Sequence, residues 1–132
     1  MRNHINSSRC ITIVGPSQSG KTSLIESIAH VCKQVHGKGH VKDNNTLSDH
    51  LPEEHELKMS ISMGVSNVQF MDEEYTFIDC PGSSEFINEF LQAARISDLC
   101  IIVLEPIKEK ILSLVPYFYY LNKMNIPHIL FK

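Results

Sequence analysis

The sequence predicts an α/β domain: a three-layer sandwich built on a mostly parallel sheet, with one strand joined to it as an antiparallel hairpin. Three observations carry this reading. Short apolar runs alternate with stretches of helical period along most of the chain, the pattern of a parallel sheet covered by crossover helices. Two strand-like segments, Ile61 to Phe70 and Tyr75 to Asp79, are separated by a turn too short for anything but a hairpin. A glycine-bounded turn stands directly between the first strand and the first helix.

Arg9 to Val14 is an apolar run stopped by Gly15 and Pro16, as a buried strand followed by a sharp turn would be. From Lys21, apolar residues recur at Leu24, Ile25, Ile28, Cys32 and Val35, one face of a helix that Gly37 and Gly39 should end. Residues 38–58 hold no period and are rich in Asp, Asn, Glu and His, which predicts a long polar loop. Ile61, Met63 and Val65 then alternate, and the pattern resumes at Val68 and Phe70 after a slip at Asn67 that suggests a bulge. A turn at Asp72 to Glu74 leads into the strand Tyr75 to Asp79.

Beyond Pro81-Gly82, helical spacing returns at Phe86, Ile87, Phe90, Leu91 and Ala94. Leu99 to Leu104 is continuously apolar, the signature of a strand buried on both faces. Ile107, Ile111, Leu114, Val115, Phe118 and Leu121 share a helical face, and Pro116 must either kink that helix or mark its true start. Pro127 to Phe131 supplies a final strand.

At 132 residues, with 42% apolar and 20% charged residues, the chain fits a single globular domain. Folding a chain of this size buries about two-thirds of its extended surface, so the core needs no disulfide or metal staple. Twelve basic residues face fifteen acidic ones, without a Lys/Arg run, so composition gives no support for direct DNA binding or a polybasic membrane anchor. Cysteines at 10, 32, 80 and 100 are too widely spaced for a zinc ribbon or a redox pair and read as free thiols of a reducing compartment. There is no signal-peptide core and no membrane-length apolar segment, so a cytoplasmic location is expected.

The chemistry is concentrated at residues 15–22, Gly-Pro-Ser-Gln-Ser-Gly-Lys-Thr, a full GxxxxGK[ST] phosphate loop placed between a strand and a helix. Gly15, Pro16, Ser17, Gln18, Ser19 and Gly20 would direct backbone N–H groups at phosphate oxygens, helped by the positive end of the following helix. Lys21 would reach the β and γ phosphates, and the Thr22 hydroxyl would serve Mg²⁺, a cation that prefers oxygen ligands. A second motif, Asp79-Cys80-Pro81-Gly82, ends an apolar strand. Asp79 would hold the metal through a water, and the Gly82 amide would sense a γ-phosphate.

With these residues in place the chain resembles the start of the guanine-nucleotide-binding domain of translational GTPases, in particular elongation factor G and its elongation-factor-G-like relatives. Beyond the two motifs the resemblance is carried by GHVKDNNTLSDHLPEEHELKMSISM at 39–63, FIDCPGSSEFINEFLQAARISD at 77–98 and NIPHILF at 125–131, and it covers nearly the whole chain. It implies a G-domain-like P-loop NTPase fold, binding of GTP or GDP with Mg²⁺, a switch I-like segment at 38–60, a switch II-like segment at 79–86, and a ribosome as partner of the intact protein. In that protein water would attack the γ-phosphate, with Lys21 stabilising charge.

Three departures from the family pattern matter. The threonine or serine that closes over Mg²⁺ matches Ser60, but in a Leu57-Lys58-Met59 context instead of the usual Arg-Gly-Ile. The histidine that usually follows the D-x-x-G glycine is Ser83, which is shorter and carries no charge, so its part in hydrolysis is in question; Ser83 and Ser84 would equally suit a helix cap. Family members read guanine with Asn-Lys-x-Asp after the strand that here ends at Phe131. The 132 residues are therefore expected to form a single, incomplete domain, cut before the last strand and helix and poor at selecting guanine. Asn122-Lys123-Met124-Asn125 is no substitute, because it precedes the last strand and puts an amide where a carboxylate is needed.

Other polar groups read as solvated or packed. Gly37 and Gly39 break the helix that would align His36 with His40 as metal ligands. Glu53, Glu54 and Glu56 fit a solvated loop face, and Tyr117 to Tyr120 lacks the basic interleaving of a base-stacking platform.

Overall fold

β-Branched residues dominate the chain's first described strand, and that strand becomes the centre of the sheet. The computed structural model describes residues 8–32, 63–71, 73–83, 85 and 87–132. In chain order these form β1 (Arg9–Val14), α1 (Lys21–Val31), β2 (Gly64–Phe70), β3 (Glu73–Asp79), α2 (Ile87–Ile96), β4 (Leu99–Val103), α3 (Lys108–Leu112), α4 (Val115–Lys123) and β5 (His128–Phe131). The strands lie in the order β2-β3-β1-β4-β5. β1 pairs in parallel with β3 and β4, and β4 with β5, whereas β2 runs antiparallel to β3.

Successive side chains of the central strands point to opposite faces and found two cores. Val14, Ile78 and Ile102 join Phe90, Ala93 and Ala94 of α2 and Tyr117 and Leu121 of α4, with Phe90 and Tyr117 meeting edge to face at 4.8 Å. Ile13, Phe77 and Val103 meet Ile25 and Ala29 of α1 on the other face. This is the expected three-layer arrangement. With α1 as its cover, the second face keeps an apolar hollow of about 440 Å³ bordered by Ile11, Ile28, Val31, Val68, Phe70 and Phe77.

Several local expectations change. β2 and β3 pair without interruption from Gly64↔Asp79 to Phe70↔Glu73, so there is no bulge at Asn67. The slip is absorbed by leaving Val65 57% exposed while Val68 is buried. β3 begins at Glu73 rather than after a turn at 72–74, because Met71 adopts φ 52°, the positive angle that a two-residue hairpin loop demands; the sequence has no glycine there to announce it. Pro116 resolves as the start of a helix: it occupies the first turn of α4, and Ser113 and Leu114 separate α4 from α3. α1 closes on Cys32, and its continuation to Val35 lies outside the described residues. All four cysteines are free thiols. β5 forms the sheet edge with Ile129, Leu130 and Phe131 about half exposed.

Candidate functional site: a phosphate cradle at the carboxyl ends of the strands

Because β1, β3 and β4 are parallel, the segments that follow them emerge at the same end of the sheet, where ligands gather in open α/β folds. The loop after β1 is residues 15–20. Its first glycine is required by contact: a Cβ on Gly15 would lie 2.1 Å from the Val103 carbonyl oxygen at the end of β4. Its last glycine is required by conformation, since Gly20 has φ 93° immediately before α1. Gln18 also takes a positive φ, 60°, a strain that a loop folded around a ligand can carry.

Lys21 and Thr22 open α1 and are both buried. The Lys21 ammonium donates to the Pro16 carbonyl at 2.9 Å, closing the loop on itself. Burial pulls its pKa below the ordinary lysine value, and the negative charge of Asp79 works against that shift. Thr22 Oγ1 donates to Asp79 Oδ2 at 2.5 Å across 57 residues of sequence. The register explains why they meet: Asp79 pairs with Ile13, and the Cys80 amide donates to the Ile13 carbonyl at 3.0 Å, so β3 delivers its aspartate beside the start of α1. Burial pushes the Cys80 thiol far up, which keeps it neutral.

Gly82 brings the second motif onto the first. A Cβ there would stand 2.5 Å from the Ser17 amide nitrogen and 2.7 Å from Lys21 Nζ. Ser83 follows it, partly buried, ahead of α2 at Ile87–Ile96. Ser60 lies outside the described residues, as do the rest of the 38–60 segment, His36, His40, Glu53, Glu54 and Glu56. Asn122 to Asn125 precede β5 and so lie at the opposite end of the sheet from the cradle.

The residues present fit a Mg²⁺-bound phosphate. Ser17 N–H and Lys21 Nζ converge beside Gly82 as donors for phosphate oxygen, and Ser19 Oγ is buried without a hydrogen-bond partner among the described residues. Thr22 and Asp79 together are hard oxygen donors of the kind Mg²⁺ takes. Among the described residues there is no cluster of three His, Cys, Asp or Glu side chains. Sequence reasoning named the loop and the aspartate. It missed the Pro16 carbonyl as partner of Lys21, the contact of Val103 with Gly15, and a Glu105–Lys110 ion pair at the same end of the sheet; a backbone carbonyl and a tertiary contact leave no residue signature.

A glycine-bounded loop between a parallel strand and a helix, with a buried lysine and a threonine–aspartate pair, defines a P-loop nucleotide-binding domain. More specifically, residues 6–131 match the model of the elongation factor Tu GTP binding domain, and the chain belongs to that family. An elongation factor G-like protein of Synechocystis sp. is 40% identical over 99% of the chain, which spans 20% of that relative. Elongation factor G 2 of Hahella chejuensis is 28% identical over 75% of the chain and 15% of its own length. The chain thus spans about a fifth or less of the curated relatives it matches. The crystal structure of a Thermus thermophilus protein superposes on 93% of the chain with a TM-score of 0.81 at 20% identity, using 19% of its own length. Elongation factor SelB from Methanococcus maripaludis, in complex with a GTP analogue, gives 0.63 at 22% identity over 93% of the chain and 21% of its own. These two likenesses bear on the fold. No helix among the described residues is long and apolar enough to cross a membrane.

Proposed function

We propose that the chain is the phosphate-binding part of a guanine-nucleotide domain that holds GTP or GDP with Mg²⁺, within a longer elongation-factor-G-like translational GTPase that works on the ribosome in the cytoplasm. The observation that carries this reading is the meeting of Lys21, Thr22, Asp79 and Gly82 around one small space, drawn from two segments more than fifty residues apart. Gly15 to Gly20 would wrap the phosphates with backbone N–H groups, Lys21 would exchange the Pro16 carbonyl for phosphate oxygen, and Gly82 would report the γ-phosphate. Thr22 and Asp79 would hold the metal, with Ser60 as the candidate third protein ligand. Bound Mg²⁺ would neutralise phosphate charge and fix its geometry.

In the intact protein the reaction would be attack of water on the γ-phosphate, with Lys21 stabilising the charge that develops. Ser83 favours a second reading. A serine hydroxyl offers neither the reach nor the positive charge of the usual histidine at this position, so the domain would bind nucleotide and change shape without hydrolysing it. Mg²⁺-dependent binding of fluorescent GDP to the chain, with Lys21→Ala as control, tests the shared part; equal affinity in both would remove the phosphate-loop assignment. Single-turnover phosphate release from the longer protein separates the two readings, since only the first predicts release.

A further inference from the structure

We infer that the outer face of α3 and α4 is a docking surface for a partner protein's amphipathic helix, one whose apolar side is bracketed by acidic residues about four turns apart. The inference stands apart from the nucleotide reading above. Its starting point is an apolar stripe turned outward. The sequence puts Ile107, Ile111 and Val115 on a buried face with Leu114 and Leu121, yet in the fold it is Leu114, Tyr117 and Leu121 that are buried. Ile111, Leu112, Val115 and Tyr119 are left 42%, 58%, 58% and 59% exposed. The stripe continues across the junction of the two helices, because Ser113 (φ −66°, ψ −17°) and Leu114 (φ −85°, ψ −10°) keep a right-handed helical backbone. Pro116 has no amide to give the Leu112 carbonyl, which accounts for the interruption between them.

Leu112, Val115 and Tyr119 stand at i, i+3 and i+7, the spacing of a ridge that packs against another helix, and together they exceed the scattered apolar exposure normal for a surface. Charge says which helix. Lys108 lies one turn before Leu112 and Lys123 one turn after Tyr119, so both extend the same line, and Lys123 Nζ stands 5.8 Å from the centre of the Tyr119 ring. At the rise of a helix the two lysines are about 22 Å apart. Neither makes an ion pair among the described residues, whereas Lys110 is tied to Glu105 at 2.8 Å. A second copy of the chain fits poorly: antiparallel pairing about Val115 sets Lys108 against Lys123, and parallel pairing sets each lysine against its twin. An anionic bilayer calls for a larger cluster of cations than two lysines on a chain of net charge −3. A helix with a carboxylate at each end of its apolar side meets both lysines at once.

The test uses the 132-residue chain and two fluorescent designed helical peptides that share one leucine stripe, the first with glutamates at its ends and the second with lysines, read by anisotropy. The acidic peptide should bind, and the basic one should bind about tenfold more weakly. Leu112→Glu should weaken the acidic peptide about tenfold with circular dichroism unchanged, since the residue faces outward. Lys108→Glu together with Lys123→Glu should reverse the preference between the peptides, which an indiscriminate apolar patch would not do. Equal binding of both peptides to the wild-type chain, or an unaltered preference in the charge-reversed variant, would overturn the inference. So would binding to vesicles of phosphatidylserine and phosphatidylcholine, or dimerisation of the wild-type chain, if either is lost in Leu112→Glu: the surface would then belong to a membrane or to a second copy. In the longer protein, Val115→Cys should react with a maleimide, above the background of the native thiols, as fast as in the 132-residue chain. Protection there would give the stripe to the protein's own remaining segments and overturn docking by a separate partner.

Discussion

The two ends of the parallel sheet treat polar groups in opposite ways. At the start of β1 every polar contact is answered by protein: the Cys10 amide donates to Asp98 Oδ2 at 2.8 Å, the Asp98 amide returns to the Cys10 carbonyl at 2.8 Å, and the buried Thr12 hydroxyl meets Ser97, which also donates to the Ala93 carbonyl. At the other end, Lys21 makes do with a loop carbonyl, Ser19 Oγ is buried without a partner among the described residues, and the loop holds a positive φ at Gln18. A satisfied end holds the sheet together, whereas an end with spare donors and strain is shaped for something not made of protein.

Substitutions on either side should therefore have separable effects. The largest is expected for Gly15→Ala, whose methyl would have to sit 2.1 Å from a backbone oxygen that cannot rotate away. Overpacking of this kind costs about 3 kcal/mol, so the urea midpoint should drop well below that of the wild-type chain. An unchanged midpoint would mean that β4 is not pressed against the loop. Next is Lys21→Ala, which should lose phosphate-dependent affinity by about 1.5–3 kcal/mol, the range for a charged hydrogen bond. Its fold should be intact by circular dichroism, because Lys21 contributes a buried charge and not packing.

Ser97→Ala probes the satisfied end. It removes the partner of a hydroxyl on a fully buried threonine, and should destabilise the chain by about 1–3 kcal/mol while nucleotide affinity stays as in wild type. A change in affinity without loss of stability would erase the distinction between the two ends.

How far these differences could be read beforehand depends on what kind of signal each leaves. The phosphate loop is legible because its task demands residue types at fixed offsets, and Asp79 because it terminates an apolar strand. The layers are legible because alternation at Ile13-Val14 and Phe77-Ile78 encodes two faces. The Met71 turn is not, since a methionine at positive φ carries no glycine or asparagine flag. Nor is the absence of a bulge, because a strand can shed a slip in pattern by exposing one valine. The Lys21–Pro16 bond escapes for a different reason: the acceptor is main chain, and any residue would supply it.

The smallest expected effect concerns pH, and it also arises from the unsatisfied end. Desolvation lowers the pKa of Lys21 in the folded chain, while the Asp79 carboxylate raises it less and Lys110 lowers it further. Between that lowered value and the ordinary lysine value, the unfolded chain binds more protons than the folded one, so stability must rise with pH through this window. Without nucleotide, wild-type stability should therefore climb on going from neutral to alkaline pH relative to Lys21→Met, which lacks the titrating group. Bound phosphate favours the ammonium form, so binding should take up protons, and phosphate affinity should weaken as pH rises through the same window. If stability and affinity both rose together with pH, Lys21 would not be the group that links them, and the contrast between the two ends of the sheet would lose its electrostatic basis.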